Sequence, residues 1–171
     1  MLDAVAARTP APGGGSSAAC ACAVAAALVE MAAAFTPDRE ETRDRANELR
    51  GRALELAEIE LHAYQPVLEA LRLPRDDPRR AERVDAARAE ASASPLAIAD
   101  VGAELAGLAA DLVRTGNQNL AGDAIAGVLL AEAAAQAAAR LVAVNLTDGP
   151  AVVEAADLAR RAFAARDDAL S

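Results

Sequence analysis

Apolar residues recur at helical spacing along almost the whole chain, and prolines, glycines and asparagines divide that pattern into segments. A short helix is predicted from Leu2 to about Arg8, followed by Thr9-Pro10-Ala11-Pro12-Gly13-Gly14-Gly15. A second helix is expected to start near Ser16, as its N-cap, and to stop near Phe35-Thr36-Pro37. A third, long helix is read from about Asp38 to Leu71. Its apolar positions include Leu49, Leu54, Leu56, Ile59 and Tyr64, its other face is charged, and Pro66 should kink it or end its regular part. Leu73-Pro74-Arg75-Asp76-Asp77-Pro78 is the clearest interior loop. A highly charged fourth helix runs from about Arg79 to Ser92 and belongs at the surface. Ser94-Pro95 opens a fifth, to about Thr115, with the proline in its first turn. Gly116-Asn117-Gln118-Asn119 breaks the chain before a sixth helix to about Asn145, and Thr147-Asp148-Gly149-Pro150 turns into a last one ending near Ala169. No run favours strands and no internal repeat is visible. The expectation is one all-α domain over residues 1–171, a bundle of long antiparallel helices.

Composition changes how that bundle must be built. The chain is 54% hydrophobic but only 2% aromatic, and alanine dominates. Alanine is the best helix former yet buries little area, so the helices must approach closely, and an oligomer interface is expected to complete the core. The net charge of -9 argues against nucleic acid and against anionic membrane surfaces as partners. Residues 18–35 are apolar but interrupted by Glu30, while Glu132, Gln136 and Arg140 lay a polar stripe along residues 124–146. Both segments read as helices buried in protein rather than lipid. Met1-Leu2-Asp3-Ala4 lacks the basic start of a signal peptide, so a cytoplasmic protein is expected.

The chemistry on offer is limited. No lysine occurs, which excludes Schiff-base mechanisms. Cys20 and Cys22, two residues apart on a helix, point to nearly opposite faces and cannot share a metal or form a normal disulfide. His62 is the single histidine, so no metal site is expected.

Four segments remain. The loop Pro10 to Ser16 is either a leader or a side-chain-free wall for a ligand at a helix N-terminus. On Glu58-Ile59-Glu60-Leu61-His62-Ala63-Tyr64, Glu58 shares a face with His62, and Glu60 with Tyr64: acid/base groups, or a solvated face. Gly116-Asn117-Gln118-Asn119-Leu120-Ala121-Gly122-Asp123 can bind a heterocycle edge, or cap a helix through Asn119. Asn145 ends a long apolar run, where it is a ligand contact or a C-terminal cap.

In their order and spacing these segments resemble the cyclodeaminase/cyclohydrolase family of folate enzymes, across nearly the whole chain. The resemblance rests on Pro10-Ala11-Pro12-Gly13-Gly14-Gly15-Ser16 and the small-residue helix to Met31, on Ala70-Leu71-Arg72-Leu73-Pro74, on Ser94-Pro95-Leu96, on Gly116-Asn117 with Asp123, and on Val144-Asn145-Leu146. It implies an all-helical domain that forms a homodimer, with folate chemistry in a cleft between these loops. It implies Gly13, Gly14, Gly15, Ser16, Asn117 and Asn145 as substrate-binding residues, joined by Arg39 and by Arg80 or its neighbour Arg79 for the carboxylates of the substrate's tail. Glu58, Glu60 and Asp123 would be catalytic. Where the family carries two aspartates one residue apart on the long helix, this chain has Glu58 and Glu60, and the family's Gly-basic step reads Pro37-Asp38-Arg39. The implied reaction is hydrolysis of 5,10-methenyltetrahydrofolate to 10-formyltetrahydrofolate, with a carboxylate steadying the cation and serving as base and with no cofactor. The alternatives are formimidoyltetrahydrofolate cyclodeaminase and a catalytically silent folate-binding paralogue.

Overall fold

Alanine sets the geometry of the bundle. The computed structural model describes residues 2–171, and among these every regular element is helical. The helices are α1 (Leu2–Val5), α2 (Gly14–Ala34), α3 (Glu40–Glu60), α4 (Gln65–Leu71), α5 (Arg80–Ala91), α6 (Ala93–Thr115), α7 (Ala121–Asn145) and α8 (Pro150–Leu170), with a 3₁₀ turn at Gln118–Leu120. Helices α2, α3, α6, α7 and α8 form the main bundle, and α6 packs against the other four. Ala18, Ala19, Ala25, Ala26, Ala131, Ala135 and Ala138 lie in its core with Leu56, Ile98, Leu105 and Leu112 between them. Such small side chains let backbones meet: a Cβ placed on Gly102 of α6 would lie 2.9 Å from the Ala131 carbonyl oxygen of α7.

The helices depart from expectation at the start of α2 and along the long third helix. Helix α2 starts at Gly14 with Gly13 as its N-cap, so Ser16 lies inside the first turn rather than capping it. The long third helix is two helices: α3 ends at Glu60, a hydrogen-bonded turn covers residues 61–64, and Pro66 sits in the first turn of α4. That is where a missing N–H costs nothing. Of the apolar positions expected to be buried, Leu49 is 4% exposed and Leu56 1%, but Leu54, Ile59 and Tyr64 are 48%, 48% and 42% exposed. The stripe that α3 buries is Ala46, Leu49, Ala53 and Leu56, at three- and four-residue steps, and Leu54 and Ile59 fall off it.

Helices α4 and α5 form a hairpin outside the bundle with a small core of their own, Val67, Ala70, Val84, Ala87 and Ala91. Arg80 closes it by donating from Nε to the Leu73 carbonyl at 3.2 Å. Helix α2 and the stretch Gln118–Asn145 are long and apolar enough to cross a membrane by length and composition, and here α2 is packed against α3, α6 and α7, and α7 mainly against α2, α6 and α8. Cys22 is fully buried, and burial pushes its thiol up to about 12, whereas Cys20 is half-buried.

Candidate functional site

The N-terminal end of α2 faces the C-terminal end of α3, and there the chain places a carboxylate. Glu60, the last residue of α3, turns its side chain across Gly15 in the first turn of α2. A Cβ on Gly15 would fall on the Glu60 carboxylate, so only glycine admits it. Ser94, in the first turn of α6, donates its hydroxyl hydrogen to Glu60 Oε1. Partial burial raises the pKa of Glu60 from its ordinary value, and the Ser94 hydrogen bond opposes part of that rise. No cation pairs with Glu60 among the described residues.

Glu60 lines a cavity of about 240 Å³ with Pro10, Gly13, Gly14, Gly15, Tyr64, Leu141 and Asn145. The approach segment contributes the wall and α7 the opposite side. Gly13 accepts both the Ser17 N–H at 3.0 Å and the Ser17 hydroxyl at 2.8 Å, which ties the loop to the helix it precedes. Ser16 Oγ is buried with no hydrogen-bond partner among the described residues. The Asn145 side chain, at the end of α7, likewise makes no hydrogen bond among them, and the residue after it, Leu146, is extended. The glycine loop, Glu60, Tyr64 and Asn145 are thus brought together from three distant parts of the sequence.

Glu58 does not join them. Two residues before Glu60 on the same helix, it points nearly the opposite way and is exposed, as is His62.

The remaining predicted residues lie elsewhere in the protomer. Asn117 is at the other end of the bundle, donating from Nδ2 to the Phe35 carbonyl at 3.1 Å while its Oδ1 accepts the Asn119 N–H at 3.0 Å. Asn117, not Asn119, is therefore the capping residue of the break before α7. Half-buried Asp123 follows in the first turn of α7. Arg39 is at this end too, paired with Asp111 at 3.0 Å and donating to Thr115 Oγ1 at 2.6 Å. Helix α2, 21 residues long, separates the two ends by about 30 Å. Arg80 is committed to the carbonyls of Leu71 and Leu73, and Arg79 to Asp77 at 3.1 Å. Sequence reading passed over Ser94 as a site residue because a serine before a proline reads first as a helix start. Its contact with Glu60 spans 34 positions, and no local signal carries it.

One cavity, built from a proline-glycine loop, a carboxylate and an asparagine in this order along the chain, can be compared with known proteins. The family model for formiminotransferase-cyclodeaminase matches residues 1–160. The chain belongs to that family. Among solved structures it is similar to formiminotetrahydrofolate cyclodeaminase from Thermotoga maritima, with a TM-score of 0.87 and 25% identity over 98% of this chain and 90% of that one. No curated protein sequence matches. The family match covers both ends of the bundle, the cavity around Glu60 and the Asn117–Asp123 segment alike.

Proposed function

We propose that this protein of the formiminotransferase-cyclodeaminase family hydrolyses 5,10-methenyltetrahydrofolate, with Glu60 as the acid/base group. The observation that carries the reading is Glu60 itself: a partly buried carboxylate, facing a cavity, with no cationic partner among the described residues. An unpaired buried charge is costly, and a substrate whose reactive carbon bears a delocalised positive charge between two nitrogens would supply the missing partner. Water adding to that carbon must lose a proton, which the carboxylate accepts. The proton then returns to the departing nitrogen as the C–N bond breaks, and the carbinol hydroxyl gives up its own proton, through the freed carboxylate to solvent, as the C=O forms and leaves the formyl group on the other nitrogen. The loop around Gly13 and Gly14 has no side chains to keep a flat ring away, and the Asn145 amide that lines the cavity, like the buried Ser16 hydroxyl in the first turn of α2, has no hydrogen-bond partner among the described residues.

A second reading is favoured by the Thermotoga maritima structure, which is a formiminotetrahydrofolate cyclodeaminase. In that reaction a folate nitrogen attacks the formimino carbon and ammonia leaves, taking a proton from the same carboxyl group. One optical assay separates the readings, because the methenyl chromophore disappears in the first and appears, with ammonia, in the second. If the protein does neither but still binds a reduced folate, it is a silent paralogue. In either active case Glu60→Gln should lower kcat by on the order of 100-fold while Glu58→Gln stays within about twofold of wild type. Equal losses in the two variants would remove Glu60 from its role.

The segments that lie apart in one protomer would meet in a homodimer. Every exposed residue of α2 is Gly, Ala, Val or Met, with Val24 53% exposed and Met31 36%, and Phe35 follows at 64%. The neighbouring face of α7 exposes Gly122, Leu129, Ala133, Ala137 and Val144, with Arg140 as its single exposed charge. Two adjoining helix faces with so little charge need cover, and a second copy offers the same apolar surface. A two-fold axis across the middle of these helices sets them antiparallel. The partner's Asn117 and Asp123 then reach the Glu60 cavity, and the reverse holds at the other site. Mixing Glu60→Gln with Asp123→Asn subunits should then restore about a quarter of wild-type activity, since half the dimers are mixed and each holds one intact site. Activity no higher than that of the parent variants would show that each site belongs to one protomer.

A further inference from the structure

We propose that Ser94 is the positioning residue for Glu60, holding one carboxylate oxygen so that the group stays against Gly15 and lines the cavity. The inference rests on Glu60 being the working carboxylate. The Ser94 hydroxyl is the only side chain that hydrogen-bonds Glu60 among the described residues, and it takes Oε1. Oε2 is the atom nearest the Gly15 backbone, where a Cβ would otherwise stand. The carboxylate is therefore gripped from two helices, by a donor on α6 and by a gap on α2, at the tip of a side chain that is otherwise flexible.

Ser94 is suited to the task by its own surroundings. It is 7% exposed, and Pro95 beside it is buried. The seat also matches the length of glutamate. An aspartate at position 60 would hold its carboxyl back by about 1.5 Å, the length of one C–C bond, and lose the Ser94 hydroxyl. Other polar groups near the seat are the Tyr64 phenol and the Asn145 amide in the cavity, with His62 and Glu90 on the outer side of Ser94. None of these hydrogen-bonds or ion-pairs with Glu60.

The test compares Ser94→Ala, Ser94→Thr and Glu60→Asp with wild type by two readouts. The first is the titration midpoint of the Glu60 carboxyl, from carbon-13 NMR with Glu60→Gln supplying the assignment. The second is the pH profile of methenyl-folate hydrolysis. Removing a donor that favours the ionised form should move the Glu60 midpoint upward in Ser94→Ala. The acidic limb of kcat/KM should move up with it, and kcat should drop on the order of tenfold with KM within about twofold. Ser94→Thr, which keeps the hydroxyl, should restore both. Adding Ser94→Ala to Glu60→Asp should change kcat no further, because the contact is already gone. An unmoved midpoint in Ser94→Ala, or a moved midpoint with kcat intact, overturns the proposal. Should wild-type protein fail to turn over methenyl-folate, the hydrolysis reading falls, and the titration alone decides whether Ser94 holds Glu60.

Discussion

Gly15→Ala is expected to abolish function without loss of stability. The added Cβ would fall on the Glu60 carboxylate and lie 3.0 Å from Glu60 Cγ. What it meets is the far end of a flexible side chain, so Glu60 swings away and the backbone of α2 stays where it is. Alanine inside a helix is favoured over glycine by roughly 0.5–1 kcal/mol, so the melting temperature should hold or rise. The carboxylate, however, leaves its seat between Gly15 and Ser94. A misplacement of about 1 Å can cost on the order of 100-fold in rate, and this one is larger. Thermal unfolding followed by circular dichroism, beside the methenyl-folate assay, reads both effects. Gly51→Ala is the control: it lies on α3 away from the cavity with nothing within 4 Å of its Cβ, so activity should match wild type and stability should hold or rise slightly. If Gly15→Ala retained activity, Glu60 would not be acting from the place it occupies.

Gly102→Ala should do the reverse and strike stability. Here the new Cβ would meet backbone: the Ala131 carbonyl oxygen at 2.9 Å and the Ala135 nitrogen at 3.1 Å, with Ala135 Cβ at 3.0 Å. None of these can rotate away, so α6 and α7 must separate along a contact lined with alanines that cannot refill the gap. Overpacking of this kind costs about 1–3 kcal/mol. Unfolding in urea should show the midpoint falling with the slope unchanged. Gly107→Ala, on the same helix with nothing within 4 Å of its Cβ, should be neutral or slightly stabilising. A Gly102→Ala protein as stable as Gly107→Ala would mean that α6 and α7 do not cross closely at Gly102.

These two glycines show how unevenly the structure could be read in advance. The helices themselves were legible: small apolar residues at helical spacing, punctuated by Pro37, Pro66, the Pro74–Pro78 loop, Gly116 and Gly149, delimit α2 to α8 to within a few residues. The break at Leu61–Tyr64 was legible only as a consequence of Pro66, and the earlier start of α2 not at all, because glycines carry no preference that marks a first turn. The membership of the cavity was partly legible. The loop, Glu60 and Asn145 were visible as unusual residues in an alanine-rich chain, but Glu58 and Glu60 could not be told apart until the direction of each side chain was known.

The sequence by itself determined an all-helical chain, the absence of lysine chemistry, the close approach that alanine forces, and the motif order that marks the family. Those properties follow from local preference, periodicity and residue type, and need no knowledge of what lies opposite. Only the tertiary structure decided that Glu60 rests on Gly15 and takes the Ser94 hydroxyl, and that Arg39 and Asn117 sit about 30 Å from it within one protomer. These are contacts between residues 34 to 82 positions apart, set by how five helices cross. A pattern along one helix states which face is buried, and it is silent about which residue of another helix will meet that face.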